Sequence, residues 1–110
     1  MQAALEALAE PRRRRILSLV RDGEATAGTI AARFDDVSRP AISQHLRVLR
    51  GAGLVSERRD GTRRWYRARP EGFGDLRRYL DEFWGDALER LKREAEAEER
   101  RRGRGGKRRK

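Results

Sequence analysis

The chain has 110 residues, no cysteine, 36% hydrophobic and 42% charged residues, and a formal net charge of +10. That length suits one small domain with a lean core, which would gain from burying apolar surface against a second copy. Without cysteine there are no disulfides or thiolate metal sites. No apolar run reaches membrane-spanning length and no signal-peptide pattern opens the chain, so a cytoplasmic protein without a membrane partner is expected.

In chain order, residues 2–9 (QAALEALA) form a short helix-prone stretch with Leu5 and Leu8 one turn apart. Pro11 suits the first position of a second helix. This helix carries Ile16, Leu17 and Val20 on one face and is expected to stop at Asp22-Gly23. Thr26 can cap a third helix that buries Ile30, Ala31 and Phe34. Ser38 is a strong cap for a fourth, Val37 and Ile42 are spaced as a hydrophobic staple, and Pro40 falls in the first turn. Gly51 and Gly53 mark its end. LVSERRDGTRRWYRA then reads as two strands around an Asp60-Gly61 turn. Residues 70–96 read as a long helix, with Phe73, Leu76, Leu80, Phe83 and Ala87 spaced three and four apart and Trp84, Leu88 and Leu91 beside them.

The expected fold is therefore mainly α with a small β-hairpin: a winged helix-turn-helix of five helices and a two-stranded wing. Residues 1–96 form one DNA-binding and dimerisation domain. Residues 97–110 form a basic tail, rich in glycine at its end and expected to be disordered.

The charges are segregated. Residues 38–69 carry nine basic and two acidic residues, 70–99 carry five and ten, and 100–110 carry eight basic and none acidic. The middle block and the tail suit a polyanion, while the acidic helix keeps DNA from its own side. On the fourth helix, Ile42, Leu46 and Leu49 share one face. Pro40, Ser43, Gln44, Arg47 and Arg50 fall on or near the other, Ser38 and Arg39 open the helix beside them, and no acidic residue lies between Ser38 and Arg50. Gln reads adenine edges and Arg reads guanine edges through paired hydrogen bonds. A solvated polar face is the blander reading, and the attached hairpin argues against it. Arg58, Arg59, Arg63 and Arg64 flank the hairpin turn and suit a narrow minor groove, though charged edges also deter aggregation. Of Trp65 and Tyr66, which face opposite ways, one belongs to the core. The arginines at 12–15 read as a solvated face, with a phosphate clamp the close alternative. The apolar stripe on the last helix reads as a dimer interface.

His45, the single histidine, flanks the apolar face of the fourth helix and reads as packing or a phosphate contact. No catalytic constellation, metal-ligand set or cofactor motif is visible. Two rivals to a sequence-specific regulator stand: a basic nucleoid- or RNA-binding protein with little sequence preference, and a protein–protein adaptor using the aromatic helix.

ALAEPRRRRIL, TAGTIAARFD, SRPAISQHLRVLRGAGLV and RRDGTRRWYRARP, in this order over about residues 3–92, resemble the ArsR family of winged-helix regulators. The resemblance implies a homodimeric, operator-binding transcriptional regulator, usually a repressor. It implies a pseudo-palindromic DNA operator read by helix 38–50 and the 54–68 wing. It implies dimerisation through the first and last helices, which adds Leu5 and Leu8 to Phe73, Leu76, Leu80, Phe83, Trp84 and Leu88. The third helix has no Cys and the last no His, so the chain resembles the metal-independent branch, with a small-molecule or protein effector left open. Glu10 stands where Asp is usual before the helix-opening Pro, and Thr29 stands in place of a capping-box Glu.

Overall fold

The computed structural model describes the backbone of residues 1–109 and the side chains of residues 1–103. Chain order is α1 (Gln2–Leu8), α2 (Pro11–Leu19), β1 (Ala25–Thr26), α3 (Ala27–Ala31), α4 (Arg39–Gly51), β2 (Val55–Asp60) and β3 (Arg63–Ala68). A 3-10 turn (Pro70–Phe73) then leads into α5 (Gly74–Arg109). There are two compact units, Met1–Leu76 and the segment from Arg77 onward.

α4 is the most completely specified element. Ser38 Oγ accepts the Ala41 N–H at 3.3 Å, and Pro40 lies in the first turn, where no donor is missed. Val37 packs partly buried against the cluster that includes Ile42, as the staple requires. At the other end Gly53 takes φ +76°, the Leu54 N–H reaches Leu49 O and the Gly53 N–H reaches Arg50 O, both at 3.0 Å. That is a Schellman stop, which satisfies the last carbonyls internally and turns Leu54 into the core.

Elsewhere the elements depart from expectation. α2 ends at Leu19, and Gly23 is not among the glycines with positive φ, so it is not the left-handed cap that the sequence suggests. The Val20 N–H closes the last turn onto Ile16 and Leu17, and the Val20 carbonyl instead accepts the Ala68 N–H at 2.9 Å. The sheet has three strands, in the order β1-β3-β2, not the two of a simple wing. Ala25 pairs with Tyr66 and Thr26 with Trp65, a two-residue strand too short to leave an alternating pattern. The hairpin turn lies one residue later than expected: Asp60 pairs with Arg63, leaving Gly61 and Thr62 as central residues. Positive φ at Gly61 alone (+63°) marks a II′-like turn rather than the I′ turn that Asp-Gly suggests. α5 runs past residue 96, helped by Ala95 and Ala97 and by Arg101 and Arg102 pairing with Glu98 one turn back. The tail expected over 97–110 is therefore helical in its described backbone, and its side chains from 104 on lie outside the described residues.

The core of the first unit gathers Ile16, Leu17 and Val20 from α2, Ile30 and Phe34 from and after α3, Ile42, Leu46 and Leu49 from α4, then Leu54, Val55 and Tyr66. Each fully buried Ile or Leu contributes about 1.5–3 kcal/mol of transfer free energy. α1 joins through Ala4 and Ala7, both buried, whereas Leu5 is 44% exposed. Small residues, not the leucines, form the inner face there because α1 packs closely on α4. Gly72 is equally constrained: a Cβ there would sit 2.0 Å from the Gly53 carbonyl oxygen, so the turn into α5 rests directly on the end of α4.

Candidate nucleic-acid interface

α4 presents a polar face because its apolar residues are all claimed by the core. Ile42, Leu46 and Leu49 are buried, while Ser38, Arg39, Pro40, Gln44 and Arg47 are exposed and Ser43 is half-buried. Arg47 Nη1 donates to Gln44 Oε1 at 2.8 Å. A carboxamide oxygen carries two lone pairs, so Gln44 can accept from Arg47 and from a base edge together. The Arg39 guanidinium lies over Gly28, where a Cβ would stand 3.6 Å from its Nη2.

Arg39, Ser43 and Arg47 of this face, but not Ser38, Pro40 or Gln44, line an open cleft of about 720 Å3 between α3, α4 and β3. Arg39, Arg47, Arg50, Arg63 and Arg64 line it together with Ser43, Thr26, Thr29, Thr62 and Trp65, and no described carboxylate does. Five cations and several hydroxyls around an open cleft suit a polyanion whose edges carry hydrogen-bonding groups. Arg50, Thr26, Thr29 and Thr62 are not among the expected site residues. Arg50 follows Arg47 by one turn, and the helical period already sets it on the polar face, though not among the residues expected to read the groove. The threonines arrive through β1, α3 and the turn, which no local pattern announces.

The four wing arginines have different surroundings. Arg59 stands opposite Arg64, and Arg58 opposite Trp65. Arg58 Nε donates to Glu24 Oε2 at 2.9 Å and its guanidinium lies 5.9 Å from the Trp65 ring centre. The Glu24 hydrogen bond holds Arg58 above its ordinary pKa, firmly cationic. Arg64 Nε pairs with Glu57 at 3.3 Å. Arg59 and Arg63 have no carboxylate partner among the described residues. The Trp65 indole N–H is buried without an acceptor, while Tyr66 is the one of the two in the core.

Arg12, Arg14 and Arg15 are exposed and Arg13 is half-buried, so the face is solvated as expected, yet each arginine also holds a partner within the chain. Arg13 Nε donates to Ala7 O at 2.7 Å, Arg13 Nη2 to Glu6 O at 3.2 Å, and Arg14 Nη1 to Leu8 O at 2.6 Å. Together they cap the carbonyl end of α1. Arg15 donates to Arg33 O at 2.7 Å, just past α3, and lies 4.4 Å over the Phe34 ring centre. Arg12 Nη2 holds Asp36 at 2.9 Å, and that hydrogen bond keeps the Asp36 carboxyl below its usual range. Glu10 accepts the Arg12 N–H at 3.2 Å, so it caps α2 in place of Asp and is likewise held low. Thr26 caps α3, its Oγ1 accepting the Thr29 N–H at 3.2 Å and donating to Thr29 Oγ1 at 3.0 Å. His45 Nδ1 lies 3.4 Å from Arg13 Nη1, half-buried. Burial, then the Arg13 charge, lowers its pKa. It is a neutral packing residue joining α4 to α2, and among the described residues no group of three or more His, Asp or Glu is placed to hold a metal.

The expected interface residues fall into two sets. Leu8 and Phe73 are partly buried against the first unit's own core, and Leu76 and Leu80 are half-buried. Leu5 is exposed, as are Trp84, Leu88 at 58% and Phe83 at 65%. Tyr79 and Leu91 join this exposed set. Tyr79 stacks on Phe83 with centroids 6.1 Å apart, and Phe83 meets Trp84 edge-on at 5.4 Å. No helix in the described residues is long and apolar enough to cross a membrane.

Comparison with known proteins matches residues 8–58 to a helix-turn-helix domain family. The chain is 48% identical over 85 residues to the HTH-type transcriptional regulator Rv2034 of Mycobacterium tuberculosis, covering 77% of this chain and 78% of that protein. It is 43% identical over 61 residues to the transcriptional repressor SdpR of Bacillus subtilis, covering 56% and 67%. A crystal structure of a possible transcriptional regulator for arsenical resistance superposes with TM-score 0.66 at 54% identity, over 79% of this chain and 90% of that one. The solution structure of a homodimeric winged helix-turn-helix DNA-binding domain from Mycobacterium bovis, a possible ArsR-family regulator, matches with TM-score 0.58 at 33% identity, over 80% and 78%.

Proposed function

The chain belongs to the ArsR family of winged helix-turn-helix transcriptional regulators, and from that premise we propose that it is a homodimeric repressor reading a pseudo-palindromic operator. DNA binding and transcription regulation come with the family. The operator symmetry, the direction of regulation and the residue roles are our reading. α4 enters the major groove, with Gln44 and Arg47 meeting base edges and Ser38, Arg39, Pro40 and Ser43 fixing its approach. The tip carrying Arg59 and Arg63 follows the neighbouring minor groove, with Arg58 and Arg64 behind it. The observation that carries this is the arginine-lined cleft beside the Gln44–Arg47 pair, in which Arg39, Arg47 and Arg63 meet no carboxylate among the described residues while Arg50 and Arg64 are held by Glu57 from outside the lining.

The exposed aromatic stretch of α5 supports pairing with a second copy, as does the homodimeric state of the Mycobacterium bovis relative. We place Leu5, Leu76, Leu80, Phe83, Trp84 and Leu88 in that interface, with Leu8 and Phe73 behind it. The repressor assignment draws on the Bacillus subtilis relative. We place the protein in the cytoplasm, with no metal required: the sequence has no thiolate to offer and one histidine.

The test is selection of bound duplexes from a random library. The expected product is an inverted repeat whose half-sites lie about one helical turn, roughly 34–36 Å, or a multiple of it, apart. Enrichment of a single asymmetric site, or none, overturns the reading. The basic block at 100–110 favours a second reading, nonspecific nucleoid or RNA binding. An operator-to-random affinity ratio near one at fixed salt would establish it.

A further inference from the structure

Glu57 is an acidic residue in the most basic region of the molecule. It stands opposite Tyr66 in the hairpin, on the face that turns to the core, and its side chain is 11% exposed. Its two oxygens are divided between two arginines. Oε2 takes Arg50 Nη1 from the last turn of α4, and Oε1 takes Arg64 Nε from β3 at 3.3 Å. Both arginines line the cleft, and Glu57 does not. Behind the cleft it is the one carboxylate among the described residues of a second basic depression, with Arg50, Arg59, Arg64 and Arg69.

A half-buried carboxylate here works against affinity for DNA, because it repels phosphate and cancels part of the attraction of two cations. The fold does not need it as a hydrophobic filler or a cap. What it does is hold two long side chains that reach over half-exposed into solvent. Arg50 and Arg64 are 57% and 51% exposed, so without Glu57 they would remain hydrated and become mobile charges.

We propose that Glu57 is a specificity-determining residue: it holds Arg50 and Arg64 in place at the cleft wall and keeps them from serving any phosphate within reach. The inference rests on the cleft being the DNA-binding surface. Random DNA, which is bound through phosphates alone, loses most from this restraint. An operator that docks α4 fully loses less, because its base contacts do not involve these two side chains. Glu57 thus lowers affinity overall and raises the ratio between the right and wrong sequences.

The experiment is a salt titration of binding to the selected operator and to random duplex, with the full chain, its Glu57→Gln variant and its Arg64→Gln variant. Gln keeps the shape and one acceptor but removes the charge. Each phosphate newly neutralised steepens the slope of log affinity against log salt by about 0.9. Glu57→Gln is expected to steepen the random-duplex slope by roughly 1–2 per protomer, tighten random binding several-fold at low salt and lower the operator-to-random ratio. Arg64→Gln, with Glu57 still present, is expected to leave the random slope unchanged, since that arginine is already held. An unchanged or flatter slope in Glu57→Gln, or a flatter random slope in Arg64→Gln, overturns the proposal. Thermal melting reports whether each variant is folded, and the Arg64→Gln result decides the matter if Glu57→Gln is not. A wild-type chain without operator preference would instead refute sequence-specific recognition, while the random-duplex slopes still decide the role of Glu57.

Discussion

Arg12 to Arg15 on α2 and the arginines around α4 and the wing are equally conspicuous in the sequence, and they have opposite destinations. The first group is engaged within the chain while staying largely exposed: three of its four members donate to backbone carbonyls and the fourth holds Asp36. In the second group Arg39, Arg59 and Arg63 meet no carboxylate among the described residues, and Arg47 meets only Gln44. The difference lies in the helices nearby. α1 has seven residues and α3 has five, so most of their carbonyls lie in the last turn with no internal partner. α2 runs beside both ends and its arginines supply the missing donors. α4 has 13 residues and closes its own carbonyl end with the Gly53 stop. Its arginines are not needed for capping, and Arg39 and Arg47, unlike Arg50 on Glu57, are left for something outside the chain. Cationic side chains form a recognition surface where the backbone has no claim on them.

The contrast is broken most directly at Arg13. Arg13→Ala removes two charge-assisted bonds to carbonyls and the contact with His45. It should lower folding stability by about 2–4 kcal/mol, read by thermal or urea unfolding, because such bonds contribute about 1.5–3 kcal/mol each and do not add fully. The operator-to-random ratio of the folded fraction should be unchanged. Loss of preference with stability intact would put Arg13 on the DNA side.

The converse effect, somewhat smaller, belongs to Gln44 and Arg47. Each changed to Ala should lose about 1–3 kcal/mol of discrimination between operator and scrambled duplex, with the melting temperature unmoved. A matching loss in stability would show that the Gln44–Arg47 bond serves the fold rather than readout.

The legible parts of the sequence are those whose cause is local. α4 can be read because its cap, staple, apolar period and glycine stop all lie within 17 residues of each other, from Val37 to Gly53. The partners of Arg13 to Arg15 cannot, because backbone carbonyls carry no sequence signature. β1 is invisible in the sequence because it exists only through pairing with β3 some 40 residues later, Ala25 with Tyr66. Leu5 and Leu8 are expected at the dimer interface from the resemblance, whereas burial divides α1 differently: Ala4 and Ala7 are in the core, Leu8 is partly buried against it and Leu5 is exposed. Glu57 vanishes in a count of arginines, although its place opposite Tyr66 makes it the residue that holds Arg50 and Arg64. The reading of α4 as a recognition face needs only its period. The reading of the cleft needs the sheet.

A weaker effect should separate the wing from α4. Arg59→Ala and Arg63→Ala should weaken binding to operator and random duplex alike, with a salt slope flatter by about 0.9 for each phosphate no longer neutralised. Deleting 100–110, which carries eight basic residues and no acidic one, should flatten the slope further and leave operator preference intact or raised. A loss of preference in either case would make the wing or the tail a reader of sequence.

The smallest effect tests the Arg12–Arg15 side of the comparison by pH. His45 lies against Arg13, and burial and that positive charge lower its pKa below the ordinary 6.5, with Glu10 acting weakly the other way. The neutral ring is the one the fold accepts. Between the lowered folded value and 6.5 the unfolded chain binds a proton that the folded chain does not, so stability falls as pH drops below 6.5. The loss levels off once pH passes the folded value. Glu10 and Asp36 are lowered from 4.5 and 3.8 by the Arg12 backbone N–H and the Arg12 side chain, so their stability is present above those values and is lost only in stronger acid. As pH falls the histidine window therefore opens first, from 6.5, and the carboxylate windows open after it, from 4.5 and 3.8. His45→Gln keeps a polar side chain beside Arg13 without a titrating ring. Denaturant unfolding against pH should show the wild type weakening modestly between pH 6.5 and 4.5 and the variant flat over that range. A variant that weakens as the wild type does would mean that the His45–Arg13 contact is not what couples α4 to α2, and that another group titrates in its place.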